Sequence, residues 1–160
     1  MNEKSLKMHN FSARRIYIIV LCVLFLDQLS KYFANKYLIL HKSVSLIDGF
    51  FDITLIHNTG AAFGILIEHT ILLICISVVS LIVLIIVGLS SMGRDPYVNT
   101  ALGLICGGAA GNLIDRIFHG FVIDFLDFHI HNYHWPAFNL ADSSICIGTV
   151  FLLWYFVTNK

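Results

Sequence analysis

The 160-residue sequence predicts an all-α membrane protein, with four transmembrane helices and a small extracytoplasmic β-sheet and loop subdomain. Three observations carry this. Hydrophobic residues make up 58% of the chain and charged residues only 12%, more apolar surface than a soluble domain of this size can hide. Four apolar stretches approach the roughly 20 residues that a spanning helix needs. Between the first two, Asp48-Gly49 separates two β-prone runs. No Pro/Gly/Ser-rich linker divides the chain, so residues 1–160 read as one integral membrane domain. The formal net charge of zero argues against nucleic acid as a partner.

The first span covers about residues 16–33. Lys4, Lys7, Arg14 and Arg15 precede it, and no small-residue cleavage site follows, so it reads as an anchor rather than a cleaved leader. Its basic end belongs in the cytoplasm. The next region, about 34–68, is too long for a simple connector. Ser43–Ile47 and Phe50–Ile56 flank the Asp48-Gly49 turn and predict a hairpin against the outer membrane surface, with Phe50 and Phe51 near lipid. Asn58-Thr59-Gly60-Ala61-Ala62-Phe63-Gly64 follows, whose small residues permit close approach of an extended peptide or a tight re-entry into the next helix.

The second span, 70–89, carries no charge. A short loop bearing Arg94 leads to the third, about 98–117, where Gly103, Gly107 and Gly111 form a smooth stripe for helix packing. On the neighbouring face lie Gly108, Asn112, Asp115 and Arg116. The fourth span, about 141–157, returns to the side that holds Lys160. Both termini are therefore cytoplasmic. Cys22, Cys75, Cys106 and Cys146 fall one per apolar stretch, which predicts small buried side chains rather than disulfides or a metal knuckle.

Four alternating helices bring the polar residues to one leaflet. Asp27 lies about 20 Å along the first helix from Arg14, at ~1.5 Å per residue. Asn112, Asp115 and Arg116 close the third span, Asp124 follows in the next loop, and Asp142 opens the fourth. Acids in apolar surroundings are costly unless paired or used. Asp124 and Asp142 suggest a carboxylate dyad, one acid protonated and one ionised, that activates water without a covalent intermediate. The aromatic stretch 129–138 provides the reversal that brings them together. Asp127 rivals Asp124, sharing its face in a helix and opposing it in a strand, and spacing leaves the choice open. His129, His131 and His134 lie near these acids but match no standard zinc helix, and no metal or cofactor is expected. Serine chemistry lacks a G-x-S-x-G motif or a suitably placed lysine. A cation- or proton-binding transport subunit is the alternative, but its path needs polar residues through the whole bilayer, and the inner half is nearly bare.

At Asp27-Gln28-x-x-Lys31, Asn58-x-Gly60-x-Ala62-Phe63, Gly111-Asn112-x-x-Asp115-Arg116, Val122-Ile123-Asp124-Phe125 and Phe138-Asn139-x-Ala141-Asp142-Ser143 the chain resembles the lipoprotein signal peptidases, or signal peptidase II. The likeness covers nearly the whole length. It implies an aspartic endopeptidase of the bacterial inner membrane that cuts a lipoprotein precursor before its diacylglyceryl-cysteine. The family's catalytic aspartates fall on Asp124 and Asp142. Asp27, Lys31, Asn58, Gly60, Asn112, Arg116, Asn139 and Ala141 fall in the motifs that support the dyad or line the substrate site, and Gly108 and Asp115 join them by their helix face. A mobile flap from the first loop is implied too. The expected partners are lipidated prolipoproteins and membrane lipid, and the expected state is a monomer.

Overall fold

The computed structural model describes residues 3–60, 66, 69–90 and 95–159, with side chains from Ala13 onward. Four helices, α1 (Glu3–Tyr37), α2 (Thr70–Ser90), α3 (Pro96–His119) and α4 (Leu140–Thr158), are interrupted by four strands, β1 (Ser43–Ile47), β2 (Phe51–Asn58), β3 (Val122–Ile130) and β4 (Tyr133–His134). Each helix contains a stretch long and apolar enough to cross a membrane. Their outer faces stay apolar and uncovered. Phe25 is 65%, Ile71 80% and Trp154 71% exposed, which is tolerable only with lipid as the solvent. Cys22, Cys75 and Cys146 are exposed and Cys106 is half-buried, against the expectation of buried thiols, because lipid imposes no cost on an exposed weakly polar group.

Helix α3 is the axis of the bundle and packs against all three other helices. Its glycines make that possible. A Cβ on Gly103 would meet Ile19 Cβ at 2.9 Å, and one on Gly107 would meet Val23 Cβ at 2.8 Å, so α1 lies directly on this stripe. Gly108 plays the same part toward α4, where a Cβ would strike Ala141 O and Ile145. It belongs to helix packing rather than to the lining of a site. The termini of α3 are capped: the Asp95 side chain accepts from Tyr97 N at 2.8 Å, Pro96 starts the helix, and Gly120 ends it at φ 80°.

The hairpin forms where Asp48-Gly49 predicts it, with Gly49 at φ 75°. The sheet is larger than residues 34–68 can supply. Its order is β1-β2-β3-β4, so the loop after α3 contributes two strands. Residues 122–130 alternate β-branched, aromatic and acidic side chains, a strand pattern that their place between two spans obscures. Ile56 faces Asp124 and Asn58 faces Val122 across the antiparallel β2–β3 pair. Ala34, Leu55, Ile123 and Phe125 form a small core that seats the sheet on the end of α1, with Leu140 of α4 packed beside it. Phe51 stacks on Phe128 at 4.5 Å. Residues 61–65, 67 and 68, which include Ala62 and Phe63 of the small-residue motif and much of the expected flap, lie outside the described residues, as do Arg94 and Lys160.

Candidate active site

Two backbone elements of different kinds deliver the two aspartates. Asp124 sits in β3, in a run of buried residues from Val122 to Phe125, and is itself 2% exposed. Asp142 sits in the first turn of α4, where free N–H groups and the helix dipole favour an anion. Asn139 is the N-cap of that helix. Its Oδ1 accepts from Asp142 N at 2.9 Å, and Asp142 Oδ2 accepts from Asn139 N at 3.3 Å, a reciprocal capping box.

Because the cap commits the Asn139 oxygen, its amide nitrogen faces the other way. Asn139 Nδ2 donates to Asp124 Oδ1 at 2.7 Å, so one residue touches both aspartates. Asn58 Nδ2 donates to Asp124 Oδ2 at 2.9 Å, and Asn112 Nδ2 donates to Asp142 Oδ1 at 2.8 Å. The two carboxylates thus share a cage of three asparagine amides drawn from β2, α3 and the α4 cap.

Behind the cage lies a buried ion cluster. Lys31 Nζ is 2.8 Å from Asp27 Oδ2 and 2.9 Å from Asp115 Oδ2, and it donates to Asn112 Oδ1 at 3.0 Å. Asp27 Oδ1 accepts from Ala141 N at 2.9 Å, and Asp115 Oδ2 accepts from Ile123 N at 3.1 Å. The cluster therefore fixes the start of α4 and the start of β3, the elements that carry Asp142 and Asp124. Gln28, quoted in the sequence motif but without an assigned place, donates to Asp115 Oδ1 at 3.0 Å and lies 3.3 Å from Asp27 Oδ2. Its position beside Asp27 near the end of the first span was the available signal. Arg116 Nη2 donates to Gly60 O at 3.3 Å, and Asn58 Oδ1 accepts from Gly60 N at 3.0 Å, so Gly60 is held to the site at both backbone groups.

The aspartates open onto a cleft of ≈ 650 Å³ lined by Asn58, Asn112 and Arg116 on the polar side. Ile56, Val122, Trp135, Pro136, Phe138 and Ile147 form its apolar walls. The wall from Trp135 to Phe138, which the sequence marked only as a reversal, is held by Trp135 N to Phe128 O at 2.8 Å and Phe138 N to Leu126 O at 3.1 Å. Burial, and then the Asp142 carboxylate, push Asp124 up from 3.8 to about 7, against the pull of the Asn58 and Asn139 amides and the Lys31 ammonium.

Asp127 is elsewhere. It accepts from Thr54 Oγ1 at 3.1 Å and lies 2.8 Å from His134 Nδ1. His129 and His134 stack at 4.6 Å, and His129 Nε2 is 3.4 Å from Asp52 Oδ1. These side chains tie β2, β3 and β4 together and share no hydrogen bond with Asp124 or Asp142.

The family model described as signal peptidase (SPase) II matches residues 19–158. A protein of Oleidesulfovibrio alaskensis named lipoprotein signal peptidase is 45% identical over 141 residues, covering 86% of this chain and 90% of its own. One of the same name from Francisella tularensis subsp. novicida is 43% identical over 144 residues, covering 87% and 89%. A bacterial membrane enzyme solved by the in meso method at 2.3 Å superimposes with a TM-score of 0.83 at 32% identity, covering 90% of this chain and 88% of that one. Four spans, a sheet seated on one end of them, and this likeness along nearly the whole chain have one reading: the protein is a multi-pass membrane peptidase that belongs to the signal peptidase II family.

Proposed function

We propose that this protein is an aspartic endopeptidase that removes the signal peptide from diacylglyceryl-modified prolipoproteins, cutting before the lipidated cysteine. The observation that carries the reading is the pair Asp124 and Asp142 inside one asparagine cage, at the floor of an apolar-walled cleft. An acid raised to about 7 beside a carboxylate at a helix N-terminus is the asymmetry that an acid–base dyad needs.

In the proposed cycle the Asp142 carboxylate takes a proton from water while Asp124 gives its proton to the scissile carbonyl oxygen. Water oxygen bonds to the carbonyl carbon, and a tetrahedral diol forms. Asp142 then gives its proton to the leaving nitrogen, the C–N bond breaks, and a diol proton returns to Asp124. The dyad ends as it began, with one proton. Arg116 and the Asn58–Gly60 segment line the route of an extended peptide. The membrane supplies the depth reference: acyl chains on the cysteine stay in lipid and hold the scissile bond at the height of the acids. Each buried methylene contributes about 0.8 kcal/mol, and a misplacement of about 1 Å can cost roughly a hundredfold in rate.

With basic ends cytoplasmic, the sheet and the dyad face outward from the bacterial inner membrane, and a monomer contains every group the cycle uses. The test is incubation of the purified full chain in detergent with lipidated and unlipidated precursor, read by mass. The lipidated form is cut before the cysteine and the unlipidated form hardly at all. Asp142→Asn is silent and Asp127→Asn retains activity. Equal cleavage of both precursors would remove the lipid specificity, and an active Asp142→Asn would remove the dyad.

A further inference from the structure

Lys31 is 1% exposed, and burying an ammonium is costly unless all its protons find acceptors. Two of the three go to Asp27 and Asp115, two carboxylates that more than match its single charge. The third goes to neutral Asn112 Oδ1 at 3.0 Å. The same oxygen also accepts from Asn139 Nδ2 at 3.2 Å, so both of its lone pairs are taken by donors. If the Asn112 amide turned over, its NH₂ would face an ammonium and another NH₂. Its oxygen would at the same time face the Asp142 carboxylate. Every contact would become donor against donor or acceptor against acceptor.

The geometry points to Lys31 as a positioning residue: it locks the Asn112 amide in the one orientation that donates to Asp142. This rests on the aspartic reading and adds to it. Asn139 has its amide set by the α4 cap, and Asn112 has its amide set by Lys31. Both dyad acids thus receive donors whose direction is fixed by groups other than the two carboxylates. The buried ion cluster then has a chemical task as well as a structural one, since its lysine spends a proton on orienting an amide that meets the proposed base.

The experiment is a double-mutant cycle on the full chain in detergent, with a precursor peptide carrying diacylglyceryl cysteine. Lys31→Met alone leaves two buried carboxylates facing each other, so the cycle is run in an Asp115→Asn background whose own kcat and KM are measured first. Folding is checked by thermal unfolding. In that background Lys31→Met and Asn112→Ala each lower kcat, by roughly tenfold to a hundredfold for a hydrogen bond to a charged group, and leave KM nearly unchanged. Combined, they are no slower than Asn112→Ala alone, because Lys31 acts through the amide that is already gone. Losses that multiply, or a Lys31→Met that acts on KM alone, overturn the role given to Lys31. Asp142→Asn measured alongside separates the two levels. If it is active, the aspartic reading falls; if it is silent while the losses multiply, only the role of Lys31 falls.

Discussion

Replacing Asp124 by asparagine should remove activity and at the same time make the protein more stable, relative to its parent, as the pH rises. Asp124 is 2% exposed and raised from 3.8 to about 7. Between those values the folded chain holds a proton that the unfolded chain has released. The stability belonging to that proton is fully present below about pH 4 and is lost as the pH climbs through about 7. At about 1.36 kcal/mol per pH unit, the step from 3.8 to about 7 amounts to about 4 kcal/mol. Asparagine cannot ionise, so the variant escapes the loss. It carries a fixed local cost instead, because its NH₂ meets the amide of Asn58 or Asn139 where the carboxylate accepted, and that cost does not change with pH. The difference in stability between Asp124→Asn and parent should therefore swing by about 4 kcal/mol in favour of the variant from pH 4 to pH 8, a change in relative melting temperature on the order of 10 °C. Thermal unfolding in detergent across that range measures it, with cleavage followed in the same samples. A difference that stays constant with pH would mean that Asp124 is ionised throughout, and it could not then be the proton donor of a neutral-pH dyad.

Asn58→Ala removes the 2.9 Å donor to Asp124 Oδ2, which favours the ionised form, so the alkaline limb of the pH–rate profile should move to higher pH, with kcat lowered roughly tenfold or more. An unmoved limb would take Asn58 out of the dyad's environment. Gly107→Ala places a Cβ 2.8 Å from Val23 Cβ and 3.2 Å from Val20 O on α1, and should cost about 1–3 kcal/mol in unfolding experiments. Gly88→Ala meets nothing within 4 Å and should be neutral or slightly stabilising, so equal losses would contradict the packing given to α3. Exhaustive chelation should leave cleavage intact, and His129→Ala should not silence the enzyme. Loss on chelation with rescue by zinc would replace the aspartic mechanism by a metal-dependent one.

Hydropathy and local chemistry are properties of short windows, and what depends on them was legible in the sequence by itself. The four spans follow from apolar length, the first hairpin from Asp48-Gly49, and the packing of α3 from glycines four residues apart. Asp124 and Asp142 stand out because an acid among apolar residues at a membrane edge has few reasons to exist. What only the tertiary structure decided concerns partners far apart in the chain. Residues 122–130 are a strand because β2, far back in the chain, offers an edge on which Asn58 pairs with Val122 and Ile56 with Asp124. Asp124 and Asp127 part company because three steps along an extended strand reverse the direction of a side chain, whereas three steps along a helix do not. Gly108, which shares a face with Asn112 in projection, is spent on the approach of α4. The orientations of the Asn112 and Asn139 amides also have no local signature. An amide has two nearly isosteric ends, and which end faces an aspartate is settled by Lys31 for one and by the backbone of α4 for the other.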